Sequence, residues 1–333
     1  MVTIKDIAKV AGVSHTTVSR ALNDSSLIKI ETRQRIQAIA KDLHYVPNVN
    51  ARSLVNQKNY MIGLFFSSIR QGTSSNFLVD TITEIHSVLE EQYTLSVQGI
   101  DEIEHLEHIN FQRYDAVLVM SQSDSDQAFI MELKKQPFPF VVVNRDLSDD
   151  TIINVVADDQ KGVQLAIEYG ISMNHKKIAY IGGREDFRSA NERREAVIET
   201  LEAHHLSIDP DFFLAGDYSM ASGFQKMQEL LQMDKQPTLV FCANDDMAIG
   251  AMRAIHEAGL KIPEDFSLIG FDDAPVTAFL EPPLTSVHKS LKKMTKIGME
   301  MLLDAIAGKE LSHKKIEIPT SLIKRKSVQK RSN

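Results

Sequence analysis

Small hydrogen-bonding side chains are concentrated between positions 14 and 23 of this 333-residue chain. At helical spacing, Val18, Ala21 and Leu22 form an apolar stripe. The opposite face carries His15, Thr16, Thr17, Ser19, Arg20 and Asn23. A helix face with few charges, little bulk and many donors and acceptors suits the base edges of the DNA major groove. The spacing therefore predicts a helix that reads DNA bases.

A tight turn and another short helix precede this face. The apolar residues of the first helix recur at helical spacing: Ile4, Ile7, Ala8 and Ala11. Gly12 tolerates the positive φ of a sharp turn, and Ser14 is a suitable N-cap for the next helix. The pattern predicts a helix-turn-helix, and an ordinary helical hairpin in a larger core is the alternative.

The stretch from Thr3 to Asn23, TIKDIAKVAGVSHTTVSRALN, resembles the DNA-binding headpiece of the LacI/GalR family of bacterial repressors. The resemblance implies a double-stranded DNA partner. Because one headpiece buries little DNA, we expect a homodimer on a palindromic operator. The predicted DNA contacts are Thr3, Ser14, His15, Thr16, Thr17, Ser19, Arg20, Asn23, Thr32, Tyr45, Asn48, Ala51 and Leu54.

Residues 46–60 form a predicted linker after the headpiece, 1–45, whose third helix we expect over Glu31–Leu43. Pro47 breaks that helix. In the resembled family this segment becomes ordered when the protein binds DNA. It then pairs with the same segment of the other subunit and inserts a leucine into the minor groove. Ala51 and Leu54 stand at those positions, and a plain solvated linker is the alternative.

The charge of the chain is divided unevenly. The net charge is −8, yet residues 1–60 hold nine Lys and Arg against four Asp and Glu, a net +5, which leaves −13 for the rest. A basic headpiece on an acidic body attracts phosphate at one end only. A single cysteine, Cys242, fits a reducing cytoplasm, and no apolar run approaches the ~20 residues of a membrane span.

Beyond position 61, short apolar strands alternate with helices, which predicts parallel α/β sheets covered on both faces. The predicted strands are 61–66, 94–97, 116–120, 140–144, 177–182, 212–216, 238–243 and 267–272. The predicted fold is α/β: a helical headpiece followed by two doubly wound parallel-sheet lobes. The resemblance makes these lobes of periplasmic-binding-protein type. We assign 61–158 with 289–318 to the N-terminal lobe and 159–288 with 319–333 to the C-terminal lobe. The basic tail from Lys324 is expected to fray.

Ligands of open α/β sheets bind beyond the carboxyl ends of the strands. The residues there are hydroxyls, amides, carboxylates, a guanidinium and one aromatic, a set that can hold a polyol. The segments 189–196, 216–224 and 241–273 resemble the effector-binding segments of the same family. The predicted effector-binding residues are Ser67, Asn144, Ser189, Arg193, Tyr218, Asn244, Asp272 and Lys289.

Two of these positions depart from the pattern of a sugar-binding member of the family. Asn144 stands where that member has an aspartate, and Lys289 where it has a glutamine. The lysine adds a cation that could meet a phosphate or a carboxylate, or be merely solvated. Arg193, flanked by Glu192 and Arg194, would by itself be expected on a solvated helix face.

We interpret the chain as a bacterial cytoplasmic transcription regulator, located on the nucleoid when bound to its operator. The expected activity is repression of carbohydrate-utilisation genes under control of a sugar-like effector, with no enzyme activity, cofactor, metal or membrane partner. A catabolite-control regulator with a phosphoprotein co-repressor remains open, as do a solute-binding protein and a sugar enzyme. Apolar residues of the helices 78–91 and 291–307 are expected to form part of the dimer contact: Ile82, Ile85, Met294, Met299 and Met301.

Overall fold

The structure, a computed structural model, describes residues 2–22, 25, 27–45, 58–70, 72–106 and 109–332. The chain divides into two compact units, Met1–Asn59 and Tyr60–Asn333, and each is described here by itself. Four predicted DNA contacts lie outside the described residues: Asn23, Asn48, Ala51 and Leu54. The predicted linker is described only from Lys58 onward.

Three helices form the described part of the first unit: α1, Ile4–Ala11; α2, His15–Leu22; and α3, Ile30–Asp42. Gly12 follows α1 with a φ of 66°, and the Ser14 hydroxyl accepts a hydrogen bond of 3.1 Å from the Thr17 amide at the start of α2. The buried core consists of Ile7, Ala8, Ala11, Val18, Ala21, Ile36 and Ala40. The predicted helix-turn-helix is confirmed.

The second unit contains two six-stranded sheets. The first has the order β11-β5-β4-β3-β1-β2, and all of its neighbouring strands are parallel. Its strands are β1, Met61–Phe66; β2, Thr94–Gly99; β3, Ala116–Met120; β4, Phe140–Val143; β5, Ile153–Ala157; and β11, Lys315–Ile318. Its helices are α4, Ser75–Val88; α5, Gln127–Leu133; and α10, Leu291–Ile306. Separate buried clusters cover the two faces of this sheet.

The second sheet has the order β12-β10-β9-β8-β6-β7. Its strands are β6, Ile178–Gly182; β7, Phe213–Ala215; β8, Leu239–Cys242; β9, Ser267–Asp272; β10, Thr285–His288; and β12, Ser321–Ile323. Its helices are α6, Asp159–Ser172; α7, Arg188–Ala203; α8, Met220–Leu231; and α9, Asp245–Glu257. The edge strand β12 is antiparallel to β10, and the other neighbouring strands of this sheet are parallel, so the predicted parallel-sheet lobes are confirmed.

The strand order reverses once in each sheet, between β1 and β3 and between β6 and β8. Such switch points form crevices beyond the carboxyl ends of the strands. Within the described residues the chain passes between the sheets three times: before α6, before α10 and before β12. The Thr320 hydroxyl donates to the Asp158 carbonyl at 2.8 Å, which links the first of these crossings to the third. The lobe boundaries given above stay a prediction.

The sequence analysis did not predict four of the strands: β5, β10, β11 and β12. Each has three to five residues and contains at least one polar residue, so no long apolar run marks it.

The predicted dimer contact is wrong for most of its residues. Ile85, Met294 and Met299 are fully buried in the core of the first sheet, and Met301 is nearly so, because α10 packs on that sheet.

The C-terminal tail is ordered rather than frayed as far as residue 332. The Ser327 hydroxyl donates to the Leu268 carbonyl and accepts a hydrogen bond from the Thr285 amide. His175, which is fully buried, donates from Nε2 to the Gln329 carbonyl at 3.0 Å. The tail therefore packs against the C-terminal lobe. Its basic composition gave no indication of this contact.

This contact makes stability depend on pH. Burial lowers the pKa of His175 from 6.5 to about 4, so between these values the unfolded chain binds a proton that the folded chain excludes. We expect the free energy of unfolding to fall by roughly 1–3 kcal/mol as the pH drops through this window. His175→Gln should reduce this slope in urea unfolding, whereas the exposed His256→Gln should keep it; equal slopes would contradict the assignment.

Candidate functional site

The exposed face of α2 carries the side chains that the sequence analysis assigned to DNA bases. His15, Thr16 and Arg20 are exposed, Thr17 and Ser19 are half-buried. Since Val18 and Ala21 are buried in the core, the polar residues must face outward. This face can offer an imidazole, a hydroxyl and a guanidinium to a ligand.

Other predicted DNA contacts have local roles as well. The amide and hydroxyl of Thr3 both donate to Asp6 Oδ2, at 2.8 and 2.7 Å, which fixes the start of α1. The hydroxyls of Ser14 and Thr17 lie 2.8 Å apart. Thr32 and Tyr45 are half-buried, and Tyr45 packs against the core of the first unit. Their contact with DNA stays a prediction.

A cavity of about 400 Å³ opens in the second unit, among residues that follow the strands of both sheets. Seven of the eight predicted effector-binding residues line it: Asn144, Ser189, Arg193, Tyr218, Asn244, Asp272 and Lys289. Its volume lies within the ~300–1,000 Å³ range of small-molecule sites. The seven residues therefore lie around one cavity, and their contact with an effector stays a prediction.

Ser67 is the exception. Its hydroxyl donates to Asp126 Oδ2 at 2.5 Å and accepts a hydrogen bond of 2.6 Å from the Gln122 amide. Ser121 donates to the same carboxylate oxygen. The Ser67 side chain is thus buried in a hydrogen-bonded network and is not among the residues that line the cavity, so its contact with an effector stays a prediction.

A buried charge cluster borders the cavity, and two of its members, Arg193 and Lys289, line the cavity. Arg193 on α7 donates from Nε and Nη2 to Asp159 Oδ2, at 3.0 and 2.7 Å, and Lys289 donates to the same oxygen at 3.0 Å. The guanidinium also lies 3.7 Å from the centroid of the Phe271 ring and donates to the Ala243 carbonyl. Arg193 is 5% exposed and Lys289 is 6% exposed. Arg193 therefore does not lie on the solvated helix face that its sequence neighbours alone indicate.

The cluster shifts the pKa values of its members. Burial alone would raise the pKa of Asp159, but the Arg193 and Lys289 cations outweigh burial and hold this pKa below its ordinary value. Burial lowers the pKa of Lys289 despite the attraction of Asp159. Burial also raises the pKa of Asp272 to about 6, although both cations oppose this shift. The cluster therefore holds Asp159 as an ionised carboxylate behind the lining residues, whereas Asp272, which lines the cavity, is the weaker acid.

Tyr218 is held over the second sheet by its neighbours. Its backbone has a φ of 70°, and the Asn244 side chain donates to its carbonyl at 2.9 Å while capping α9 through the Met247 amide. Gly183 lies so close that a Cβ there would be 2.0 Å from the tyrosine ring. The ring thus needs glycine at position 183, and it presents an aromatic surface to the cavity.

Several residues that shape the site were missed by the sequence analysis. Asp159 follows the unrecognised strand β5, so no pattern drew attention to it. Asp245, the first residue of α9, is the second such residue. Burial raises its pKa well above the ordinary value, and its oxygens accept hydrogen bonds from the Ser286 hydroxyl and the Ala274 amide. Asp245 therefore ties α9 to the ends of β9 and β10.

Within the described residues, no group of three or more His, Cys, Asp or Glu could hold a metal ion. The described helices include none long and apolar enough to span a bilayer. Burial raises the pKa of the Cys242 thiol, which makes it a poor nucleophile.

Two family models match the chain. The model described as bacterial regulatory proteins, lacI family, matches residues 3–48, and a periplasmic binding protein-like domain matches residues 167–328. The chain is 46% identical over 330 residues to the "Probable HTH-type transcriptional repressor ExuR" of Bacillus subtilis (strain 168), covering 99% of each protein. It is 33% identical to the repressor PurR of Haemophilus influenzae, covering 98% of this chain and 99% of that one.

Solved structures give the same picture. The lac repressor dimer bound to operator and the anti-inducer ONPF superposes with a TM-score of 0.83 at 27% identity, over 98% of this chain and 99% of that one. The complex of the transcriptional regulator CelR with cellobiose superposes with a TM-score of 0.73 at 27% identity, over 98% of this chain and 100% of that one. The likeness therefore extends over both compact units.

Proposed function

This chain belongs to the LacI family of bacterial regulatory proteins and is a transcriptional repressor, and we propose that a small sugar-like molecule in its cavity controls its affinity for operator DNA. The function of the relatives also settles the choice between regulator and enzyme in favour of the regulator. We infer that it acts in the bacterial cytoplasm, on the nucleoid when operator-bound.

One observation carries the control by a sugar-like molecule: carboxylate, amide, hydroxyl and guanidinium groups meet beside an aromatic ring in a cavity of about 400 Å³. Polar groups of this kind bind the hydroxyls of a polyol, and the apolar face of a sugar ring packs on an aromatic side chain. CelR, whose structure this chain resembles, was solved with cellobiose.

The route of control is the change in angle between the two lobes. Asp159 and Lys289 lie on two of the three chain crossings between the sheets, and Lys289 and Arg193 of α7 both donate to Asp159 Oδ2. A ligand that contacts this cluster binds more tightly to the conformation with one lobe angle than to the other. It therefore shifts the equilibrium between the two conformations toward the one that it binds better. The lobe angle then sets the affinity for operator by linkage.

The DNA partner is proposed to be a palindromic operator bound by a homodimer, as in the lac repressor dimer. One operator per dimer follows, because two headpieces read half-sites about one helical turn apart. Light scattering at micromolar concentration should give twice the mass of the 37.4 kDa chain. A mass near that of one chain or of four would contradict the dimer.

A gel shift tests the proposed control directly. Fragments of the source genome are mixed with the purified full chain, with and without sugars and sugar derivatives. We expect retention of a few fragments at physiological salt and release of those fragments by one class of small molecule. Retention that no small molecule changes would refute control by an effector.

The exposure of Arg20 leads to a prediction about base reading. Arginine pairs with guanine through two hydrogen bonds, worth about 1–3 kcal/mol of discrimination. Arg20→Ala should therefore weaken binding to the operator roughly 5- to 150-fold and binding to random DNA much less. Titration of both DNAs at one salt concentration measures the difference, with the exposed Lys41→Ala on α3 as control. Equal losses on both DNAs would make Arg20 a phosphate contact.

A further inference from the structure

The two lobes also meet away from the three chain crossings, through a pair of short segments that we call the latch. Residues 122–124 follow β3 of the first sheet, and residues 186–188 follow β6 of the second sheet. Ser123 and Phe187 pair in an isolated antiparallel β-bridge. Because the two segments follow strands of different sheets, this bridge connects the lobes to each other.

Two hydrogen bonds join the segments of the latch. The Arg188 amide donates to the Gln122 carbonyl at 2.9 Å. The Ser123 hydroxyl donates to the Asp186 carbonyl at 3.0 Å. Arg188 is the first residue of α7, and the first amides of a helix have no acceptor within the helix. The latch therefore uses a donor that α7 does not need, and every partner belongs to the chain itself.

An aromatic ring packs between the lobes at the latch. Phe187 is 2% exposed, and the centroid of its ring lies 5.9 Å from that of Tyr218. Gly72, which follows β1 of the first sheet, lies against the same ring from the other lobe. A Cβ at Gly72 would be 2.9 Å from Phe187 Cζ and 2.6 Å from Arg184 Cδ. This close fit exists at one lobe angle, because any opening of the lobes would separate Gly72 from the ring.

The buried Ser67 network holds the first segment of the latch in place. Ser67 Oγ accepts a hydrogen bond of 2.6 Å from the Gln122 amide. Asp126 Oδ2 accepts hydrogen bonds from the hydroxyls of Ser67 and Ser121, at 2.5 and 2.7 Å. The same oxygen accepts one from the Ser123 amide at 3.3 Å. These contacts all lie within one lobe, so the Gln122 carbonyl is oriented before the other lobe meets it, which lowers the cost of closing the latch.

We propose, on the basis of the function proposed above, that the latch is a regulatory contact that biases the equilibrium between the two lobe angles before any effector binds. One hydrogen bond within a protein shifts such an equilibrium roughly 2- to 12-fold. The ion pair of Arg188 with Asp124, at 3.8 Å, adds little because both side chains are exposed. The effector then acts on an equilibrium that the latch has already shifted.

A proline substitution removes the latch and spares the helix. Arg188→Pro deletes the amide donor, and proline is favoured at the first position of a helix. Phe187 has a φ of −94° and a ψ of 122°, a conformation that is allowed before proline. Arg188→Ala is the matched control, because it removes the same side chain and keeps the amide. Ser123→Ala, on the other segment, removes the second hydrogen bond and replaces the proline variant if thermal unfolding shows that the latter does not fold.

Pulsed electron paramagnetic resonance measures the separation of the lobes without ligand or DNA. Spin labels are attached to Lys135→Cys and Glu195→Cys, at exposed positions of the two lobes, whereas Cys242 is fully buried. Labelled chain is diluted into an excess of unlabelled chain, so that the distances within one chain are measured. We expect one narrow distance distribution in Arg188→Ala and a second, longer population in Arg188→Pro. Identical distributions in the two variants would overturn the latch.

Hydrogen exchange resolved to single amides tests the latch in the unmodified chain. The Ser75 amide, the first of α4, is the reference, because it is exposed and forms no hydrogen bond among the described residues. After correction for intrinsic rates, we expect the Arg188 amide to exchange roughly 2- to 12-fold more slowly than this reference. Equal exchange of the two amides would also overturn the latch.

The regulatory role is tested on the operator fragment that the gel shift identifies. Arg188→Pro should change the affinity of the ligand-free chain for this fragment roughly 2- to 12-fold relative to Arg188→Ala. The sign of the change shows whether the latched lobes bind or release the operator. Lobes that open while operator affinity stays equal in the two variants would overturn the regulatory role. Failure of the proposed function is a separate result, because it appears as an operator complex that no small molecule changes.

Discussion

The Arg193→Ala variant is expected to lose about 3–5 kcal/mol of its free energy of unfolding. Truncating one partner of a buried ion pair leaves the other charge uncompensated. Here Asp159 would keep only Lys289, and the stacking of the guanidinium on Phe271 would disappear. Urea unfolding followed by linear extrapolation measures the loss.

Arg194→Ala is the matched control for this prediction. Arg194 is the next residue of the same helix, is exposed, and lies 5.7 Å from the Phe213 ring. Its loss should cost less than about 1 kcal/mol. Equal effects of the two substitutions would show that the Arg193 pair does not stabilise the fold. Because Arg193 supports the fold, its variant alone does not isolate ligand binding.

Asp272→Asn separates ligand binding from folding. Asp272 has a φ of 105°, which asparagine tolerates better than alanine, and the substitution removes charge while keeping the shape. We expect operator affinity in the absence of ligand to stay unchanged. The ligand concentration that half-releases the operator should rise about 10- to 100-fold, the range of one hydrogen bond to a charged group.

Fluorescence anisotropy of a labelled operator, titrated with ligand, gives both quantities for this variant. Asp304→Asn serves as its control, because this carboxylate lies on α10, pairs with Lys309 and is not part of the cavity lining. A normal ligand response in Asp272→Asn would exclude Asp272 from direct contact with the effector.

The sequence predicted the helix-turn-helix and the strand-helix alternation because both follow from local periodicity. Residues such as Asn144, Tyr218 and Asp272 were found for a related reason: each ends a strand or follows one. The backbone at these three residues has positive φ values of 79°, 70° and 105°. Asparagine and aspartate adopt this region more often than other non-glycine residues, but the residue type alone does not predict it.

Burial and pairing were not predictable in the same way. The charged neighbours Glu192 and Arg194 suggest that Arg193 lies on a solvated helix face. Arg193 is instead buried, and its ion-pair partner is Asp159, 34 positions earlier. That partner depends on how the chain crosses between the sheets, which is a non-local property. The buried Ser67 network and the packed tail, held by Ser327, depend on tertiary contacts of the same kind.

The central claim is that ligand in the cavity and DNA on the headpiece are thermodynamically linked. The most direct test measures four affinities of the full chain: operator with and without saturating ligand, and ligand with and without saturating operator. The ligand changes the affinity for operator by one ratio, and the operator changes the affinity for ligand by another. Linkage requires these two ratios to be equal, typically about 5- to 150-fold. We predict equal factors different from one. A ligand that binds the cavity while both ratios equal one would contradict the account.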